Sequence, residues 1–172
     1  MTLIIAVSGF SGGGKTTVTK RLLQALPDSI LLHFDDYDFN GPNDLIKWVE
    51  DGADYNLWCL KPLIEDIEKY ISSKSYILLD YPFSYKNDSL KKYIDLSIFI
   101  DTPLDIAMAR RMLRDHIRLQ DIHQDLAFYL NFGRAAYLEM EKSIKPDCDL
   151  VVDGTLPLDN IVSIILNKLK KR

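Results

Sequence analysis

Gly9-Phe10-Ser11-Gly12-Gly13-Gly14-Lys15-Thr16 has the residue types and spacing to hold a chain of phosphates. It fits G-x-x-x-x-G-K-[ST] and follows the apolar run Leu3-Ile4-Ile5-Ala6-Val7. A buried strand, a glycine-rich turn and a helix are the context this motif requires. Glycines let the backbone turn tightly and aim successive N–H groups at one anion. The helix that follows adds its positive end. Lys15 can reach β- and γ-phosphates, and the Thr16 hydroxyl can bind Mg²⁺. Gly9, Ser11, Gly12, Gly13, Gly14, Lys15, Thr16 and Thr17 are therefore candidate contacts for ATP or GTP.

Carboxylates come next in the argument. His33-Phe34-Asp35-Asp36-Tyr37-Asp38 ends a second apolar run and crowds three acids together. Such crowding is costly without a nearby cation or proton. Phosphoryl transfer needs a carboxylate to orient or deprotonate the attacking hydroxyl. Asp35 is the candidate base, with Asp36 as a helper; the order of the two is left open by sequence. Tyr76-Ile77-Leu78-Leu79-Asp80 ends in an acid suited to magnesium. Thr16, Asp35 and Asp80 form the candidate metal set. Tyr81 and Phe83 follow as a substrate wall or as core packing. His33 is a rim residue or a substrate contact.

Arg110, Arg114 and Arg118 share one face of a helical pattern at i, i+4, i+8 spacing. Such a row beside a phosphate loop can neutralise charge in a transition state. Arg114 is the candidate catalytic arginine, and Arg110 and Arg118 are nucleotide contacts. Arg111 faces elsewhere, and Arg134 is a weaker candidate. The pattern breaks near residues 120–124, which predicts a helix–turn–helix lid over about 114–124. A lid excludes water that would otherwise be phosphorylated. His116 and His123 border it and read as solvated.

These residues need elements to position them. Strands are predicted over 3–8, 29–33, 75–80, 95–101 and 148–152. Helices are predicted over about 14–26, 43–50, 57–71, 103–118, 123–141 and 158–170. Thr102 reads as an N-cap, with Pro103 as the first helical residue. Strand–helix alternation and near-continuous apolar strands indicate a parallel sheet covered on both faces. At 172 residues the chain is read as a single domain, 1–172.

Composition removes several classes. A net charge of −4 gives no basic footprint for nucleic acid. No stretch is long and apolar enough for a membrane span, and no leader precedes the first strand, so a cytoplasmic location is expected. Cys59 and Cys148 fit no metal spacing and read as buried, reduced thiols. No histidine pair has a third ligand, so no zinc is expected. Oligomeric state is not fixed by sequence, and a homodimer stays open.

The motifs together resemble the uridine kinase-like group of P-loop kinases, which includes uridine–cytidine and nicotinamide riboside kinases. Ser8 to Thr17 looks like that family's phosphate loop, and His33 to Tyr37 like its strand-end segment with the catalytic Asp. Arg110 to Asp115 is similar to its lid helix. Tyr137 to Pro146 and Cys148 to Gly154 are similar to its C-terminal helix and last strand. The resemblance implies an α/β, three-layer P-loop fold with a five-stranded parallel sheet and a small helical lid. It implies ATP, Mg²⁺ and a small-molecule hydroxyl acceptor. It places Asp153 and Gly154 near the adenine.

The chain departs from that family between the second and third strands. Uridine kinases carry a base-reading β-hairpin there. Here residues 41–74 read as helical. The stretch Asp54-Tyr55-Asn56-Leu57-Trp58 replaces the hairpin as candidate recognition segment, or else packs an aromatic cluster on the core. Tyr37, Tyr55 and Trp58 complete the candidate substrate contacts. A regulatory P-loop NTPase and an ATP-dependent partner protein are the competing classes. No Asn-Lys-x-Asp guanine-reading segment supports the first, since Asn167-Lys168-Leu169-Lys170 lacks the acid.

Overall fold

The computed structural model describes residues 2–115 and 118–171. Five parallel strands form one sheet: β1 (Leu3–Gly9), β2 (Ser29–His33), β3 (Tyr76–Asp80), β4 (Leu96–Asp101) and β5 (Leu150–Asp153). Their order across the sheet is β2-β3-β1-β4-β5. The strand that feeds the phosphate loop is therefore central. Its register sets Val7 beside Asp80 and Gly9 beside Ile100.

Alternation along each strand divides the core into two layers. Ile5 and Val7 face one side with Leu78, Ile98 and Val152. That side is covered by α1 (Lys15–Ala25), through Val18 and Leu22, and by α8 (Leu158–Leu169), through Ile161 and Ile165. Ile4 and Ala6 face the other side with Ile77, Leu79 and Phe99. There α3 (Lys61–Tyr70) buries Leu63 and Ile67. Ala107 of α5 (Leu104–Asp115) and partly buried residues of α7 (Arg134–Ser143) join the same layer. Short helices α2 (Leu45–Glu50) and α4 (Asp88–Lys91) are N-capped by Asp44 and Asn87.

Several expected boundaries move. The predicted helix over 57–71 is a single 3₁₀ turn at Tyr55–Leu57 followed by α3 from Lys61. The helix expected to start at 123 begins earlier, as α6 (Leu119–Phe128), and passes through a π turn at Tyr129–Gly133 into α7. Asp35 and Asp36 lie on a one-turn 3₁₀ helix, Phe34–Asp36, rather than on the strand. Thr102 is no N-cap. Its side chain is fully buried and its hydroxyl donates to the Gly13 carbonyl at 2.8 Å. Cys59 is exposed and Cys148 only partly buried, contrary to the reading of two buried thiols.

The phosphate loop is held by close approach. A Cβ on Gly12 would stand 2.1 Å from the Ala107 carbonyl oxygen, at a φ of +78°. A Cβ on Gly9 would stand 2.8 Å from the Ile100 carbonyl oxygen. Backbone atoms cannot swing aside as a side chain can. Gly12→Ala is therefore expected to destabilise the fold by about 3 kcal/mol, from left-handed strain plus overpacking. Thermal unfolding should show a midpoint lower by roughly 6–12 °C.

Candidate active site

The site lies at the carboxyl ends of the strands, where ligands of open α/β sheets bind. Gly9 ends β1, and the Gly13 N–H donates to the Phe10 carbonyl at 2.9 Å, closing the loop's turn. Gly14 occupies the N-cap position of α1 at a φ of +101°, with no side-chain cap. Glycine offers the first amides of α1 no side-chain cap. An uncapped helix start with its positive dipole end is a ready anion site. Lys15 is the first helical residue, and its ammonium donates to the Phe10 carbonyl at 3.3 Å. Thr16 and Thr17 stay exposed on the first turn.

Asp80 sits beneath this loop. It is 7% exposed, and one carboxylate oxygen accepts two bonds. The Thr16 hydroxyl donates at 2.5 Å and His33 Nδ1 approaches at 3.2 Å. The register of the sheet causes this, because His33 and Asp80 are paired neighbours on β2 and β3. His33 is thereby a partner of Asp80. Thr16 and Asp80 are two hard oxygen donors on adjacent elements, a pair suited to Mg²⁺. Among the described residues no three His, Cys, Asp or Glu converge.

Lys15, Asp80, Asp35 and Arg114 form one electrostatic cluster. Burial pushes the Lys15 ammonium below the usual lysine value. Asp80 and Asp35 pull it back up, and Arg114 pushes it down again. Asp35 itself is exposed at the turn after β2. The Arg114 guanidinium is held by both oxygens of Asp115, at 2.6 and 3.2 Å, and also feels Asp35.

The other arginines divide their work. Arg110 donates to the Gly154 carbonyl at 3.0 Å, tying α5 to the turn after β5. Arg111, expected to face elsewhere, pairs with Asp125 at 2.5 Å and so joins α5 to α6. Arg118 is not on the same helical face as Arg110 and Arg114. Its backbone is extended, and it is the exposed residue before α6. His116 lies outside the described residues, and His123 is exposed. Asp153 accepts from the backbone and hydroxyl of Thr155, which shapes the turn beside Gly154.

Around the turn after β2, the aromatic residues pack against one another. Phe34 meets Phe39, Trp58, Tyr81 and Phe83 with centroids 4.7 to 5.9 Å apart. Tyr81 is 0%, Tyr55 6% and Phe83 7% exposed. These three form core beneath the site rather than a substrate wall, because the segment 53–58 folds down onto them. Phe34, Tyr37, Phe39 and Trp58 are only partly buried and form the upper edge of the cluster. Tyr37 donates to Asp66 at 2.8 Å, which links the turn after β2 to α3. Asp36 and Asp38 are exposed beside it.

Two residues that sequence reasoning missed organise these halves. Thr102 looks like a helix cap in sequence and reaches the phosphate loop instead. Asn87, 1% exposed, donates to the carbonyls of Tyr55 at 2.9 Å and Trp58 at 3.0 Å. Its oxygen also accepts from Ser89 and Leu90. Its only sequence signal is an N-cap pattern before a short helix, and the long-range bonds carry no local signature.

Fold and site together define a P-loop protein with the core of a small-molecule kinase. No family model matches the chain. Its curated relatives include uridine kinases: that of Borreliella burgdorferi (strain ZS7) is 29% identical, over 88% of this chain and 86% of that one. A sugar kinase from Janibacter sp. HTCC2649 superposes with a TM-score of 0.61 at 17% identity, over 99% of this chain and 95% of that one. Deoxyadenosine kinase from M. mycoides, solved with bound dATP, gives a TM-score of 0.60 at 18% identity, over 98% and 99%. The resemblance read from the motifs thus extends over most of the chain, and the solved structures share its fold.

Two outcomes follow from the burial pattern. Among the described residues the buried Tyr81 hydroxyl has no hydrogen-bond partner, and burial pushes its phenol up. Tyr81→Phe should therefore raise stability by about 1 kcal/mol, since an unmade buried bond is removed. Turnover should be unchanged; a large fall would return Tyr81 to the substrate contacts. Lys15 has a depressed folded-state pKa, so its charge costs stability below that value. The cost fades as pH rises through it toward the unfolded value of 10.5. Lys15→Met should thus melt higher than wild type without ligand at neutral pH, with a gap that narrows at alkaline pH. Its nucleotide turnover should fall by about 100-fold or more.

Proposed function

We propose that the protein transfers the γ-phosphoryl group of ATP to a hydroxyl of a nucleoside-like or related small metabolite. The observation that carries this reading is the contact of Thr16 with Asp80 at the uncapped start of α1, where Lys15 is the first helical residue. The uridine kinase relatives support the same reaction class. In this reading the α1 amides and Lys15 hold the phosphates. Arg114 faces charge that spreads onto the transferring group. Asp35 accepts the hydroxyl proton. Its place on an exposed turn leaves room for an acceptor to approach. Thr16 and Asp80 would hold Mg²⁺, which neutralises phosphate charge when bound. Water and phosphate oxygens would complete its ligands.

The segment 114–124 is proposed as the lid and 41–74 as the recognition segment. Arg110 and the turn at Asp153-Gly154 are proposed to border the nucleotide base. Among the described residues no helix is long and apolar enough to cross a membrane.

Charge constrains the acceptor. Residues 35–58 carry Asp35, Asp36, Asp38, Asp44, Glu50, Asp51 and Asp54 against a single Lys47. An acceptor that brings its own phosphate or carboxylate would be repelled. Neutral nucleosides should be phosphorylated in preference to their monophosphates. The test is acceptor-dependent ADP formation across such matched pairs, with Asp35→Asn as control. The mutant should lose at least about 100-fold in kcat while it still binds ATP. Hydrolysis indifferent to every acceptor and to the mutation would favour a regulatory NTPase instead.

A further inference from the structure

The phosphate loop contains a peptide group that its own sequence cannot hold in place. The Gly13–Gly14 peptide is flanked by two residues without a Cβ. Glycine reaches left- and right-handed regions with similar ease, so this unit can flip at little cost. A flip matters because the peptide is planar and trans. The Gly13 carbonyl and the Gly14 N–H point in opposite directions. In the nucleotide-binding reading, turning the unit over would put an acceptor where phosphates need a donor.

One side chain from outside the loop reaches this peptide. Thr102, immediately after β4, donates its hydroxyl to the Gly13 carbonyl at 2.8 Å across 89 residues of sequence. The threonine is 0% exposed, so water does not compete for either partner. The same hydroxyl is hemmed in from behind. A Cβ on Gly154 would lie 1.9 Å from Thr102 Oγ1, which leaves glycine as the residue that fits there. Gly154 is itself fixed by its N–H on the Asp101 carbonyl at 2.8 Å and by Arg110 on its carbonyl. Thr102 is thus clamped between the turn after β5 and the phosphate loop.

We propose that Thr102 is a positioning residue for the nucleotide, which locks the Gly13–Gly14 peptide with its N–H toward the phosphates and keeps the phosphate loop in register with the Gly154 turn. The inference rests on the nucleotide-binding reading of the loop. Thr102 touches no reacting atom; it acts through Gly13.

The test compares Thr102→Val with Thr102→Ser. Valine keeps the shape and removes the hydroxyl, and serine keeps the hydroxyl. Affinity for Mg-ATP is measured by calorimetric titration, and KM is measured for ATP and for the accepted nucleoside separately. The valine variant should bind ATP about tenfold more weakly, the worth of one buried hydrogen bond. Its KM for ATP should rise by a similar factor while the acceptor KM stays put. Serine should restore ATP affinity to within about twofold. If valine leaves an unmet carbonyl that prevents folding, Thr102→Ala gives room for water at Gly13 and should show the same ATP-selective defect. Equal ATP affinity in wild type and the folded hydroxyl-less variant would overturn the proposal, as would equal rises in both KM values. A wild-type protein that binds no ATP would instead remove the nucleotide reading beneath it.

Discussion

The phosphate loop is squeezed between the end of β4 and the first turns of α5, and the rest of the site inherits its position from that squeeze. Carbonyl oxygens of Ile100 and Ala107 stand where side chains at Gly9 and Gly12 would be. Only glycine permits the approach. The gain is a helix start without a side-chain cap, at the centre of a five-stranded sheet. The order β2-β3-β1-β4-β5 then brings acids from β3 and from the turn after β2 to one side of that start.

Electrostatics follow from this placement. Lys15 is desolvated by the same packing that builds the loop, and the nearby carboxylates only partly compensate. A partly buried cation that is under-compensated gains from an arriving anion. Phosphates would supply that compensation.

The two halves of the site are stiffened differently. On the nucleotide side, single polar side chains reach backbone carbonyls: Thr102 to Gly13 and Arg110 to Gly154. On the other side, Asn87 pins the segment bearing Tyr55 and Trp58, and stacked rings fill the space below. A fully bonded buried amide and a packed aromatic floor leave little freedom to the wall above them. Asp35, Asp36 and Asp38 stay exposed beside these packed rings.

Much of this was legible in the sequence. The phosphate loop, the five strands and the acids at Asp35 and Asp80 each follow from local rules: glycine spacing, apolar runs and the residue that ends a run. What local rules cannot hold is a contact between distant segments. Thr102 obeys the pattern of a helix cap, yet its hydroxyl goes to Gly13 because the sheet sets β4 beside β1. Tyr55, Tyr81 and Phe83 have the composition of a binding wall, yet they are core, since burial depends on what folds over them. Arg118 continues a helical period in sequence, yet its own backbone is extended. The sequence by itself determined the chemistry available and the order of the strands along the chain. Only the tertiary structure decided which polar groups meet and which aromatic faces stay open, because both depend on register and packing between segments far apart in sequence.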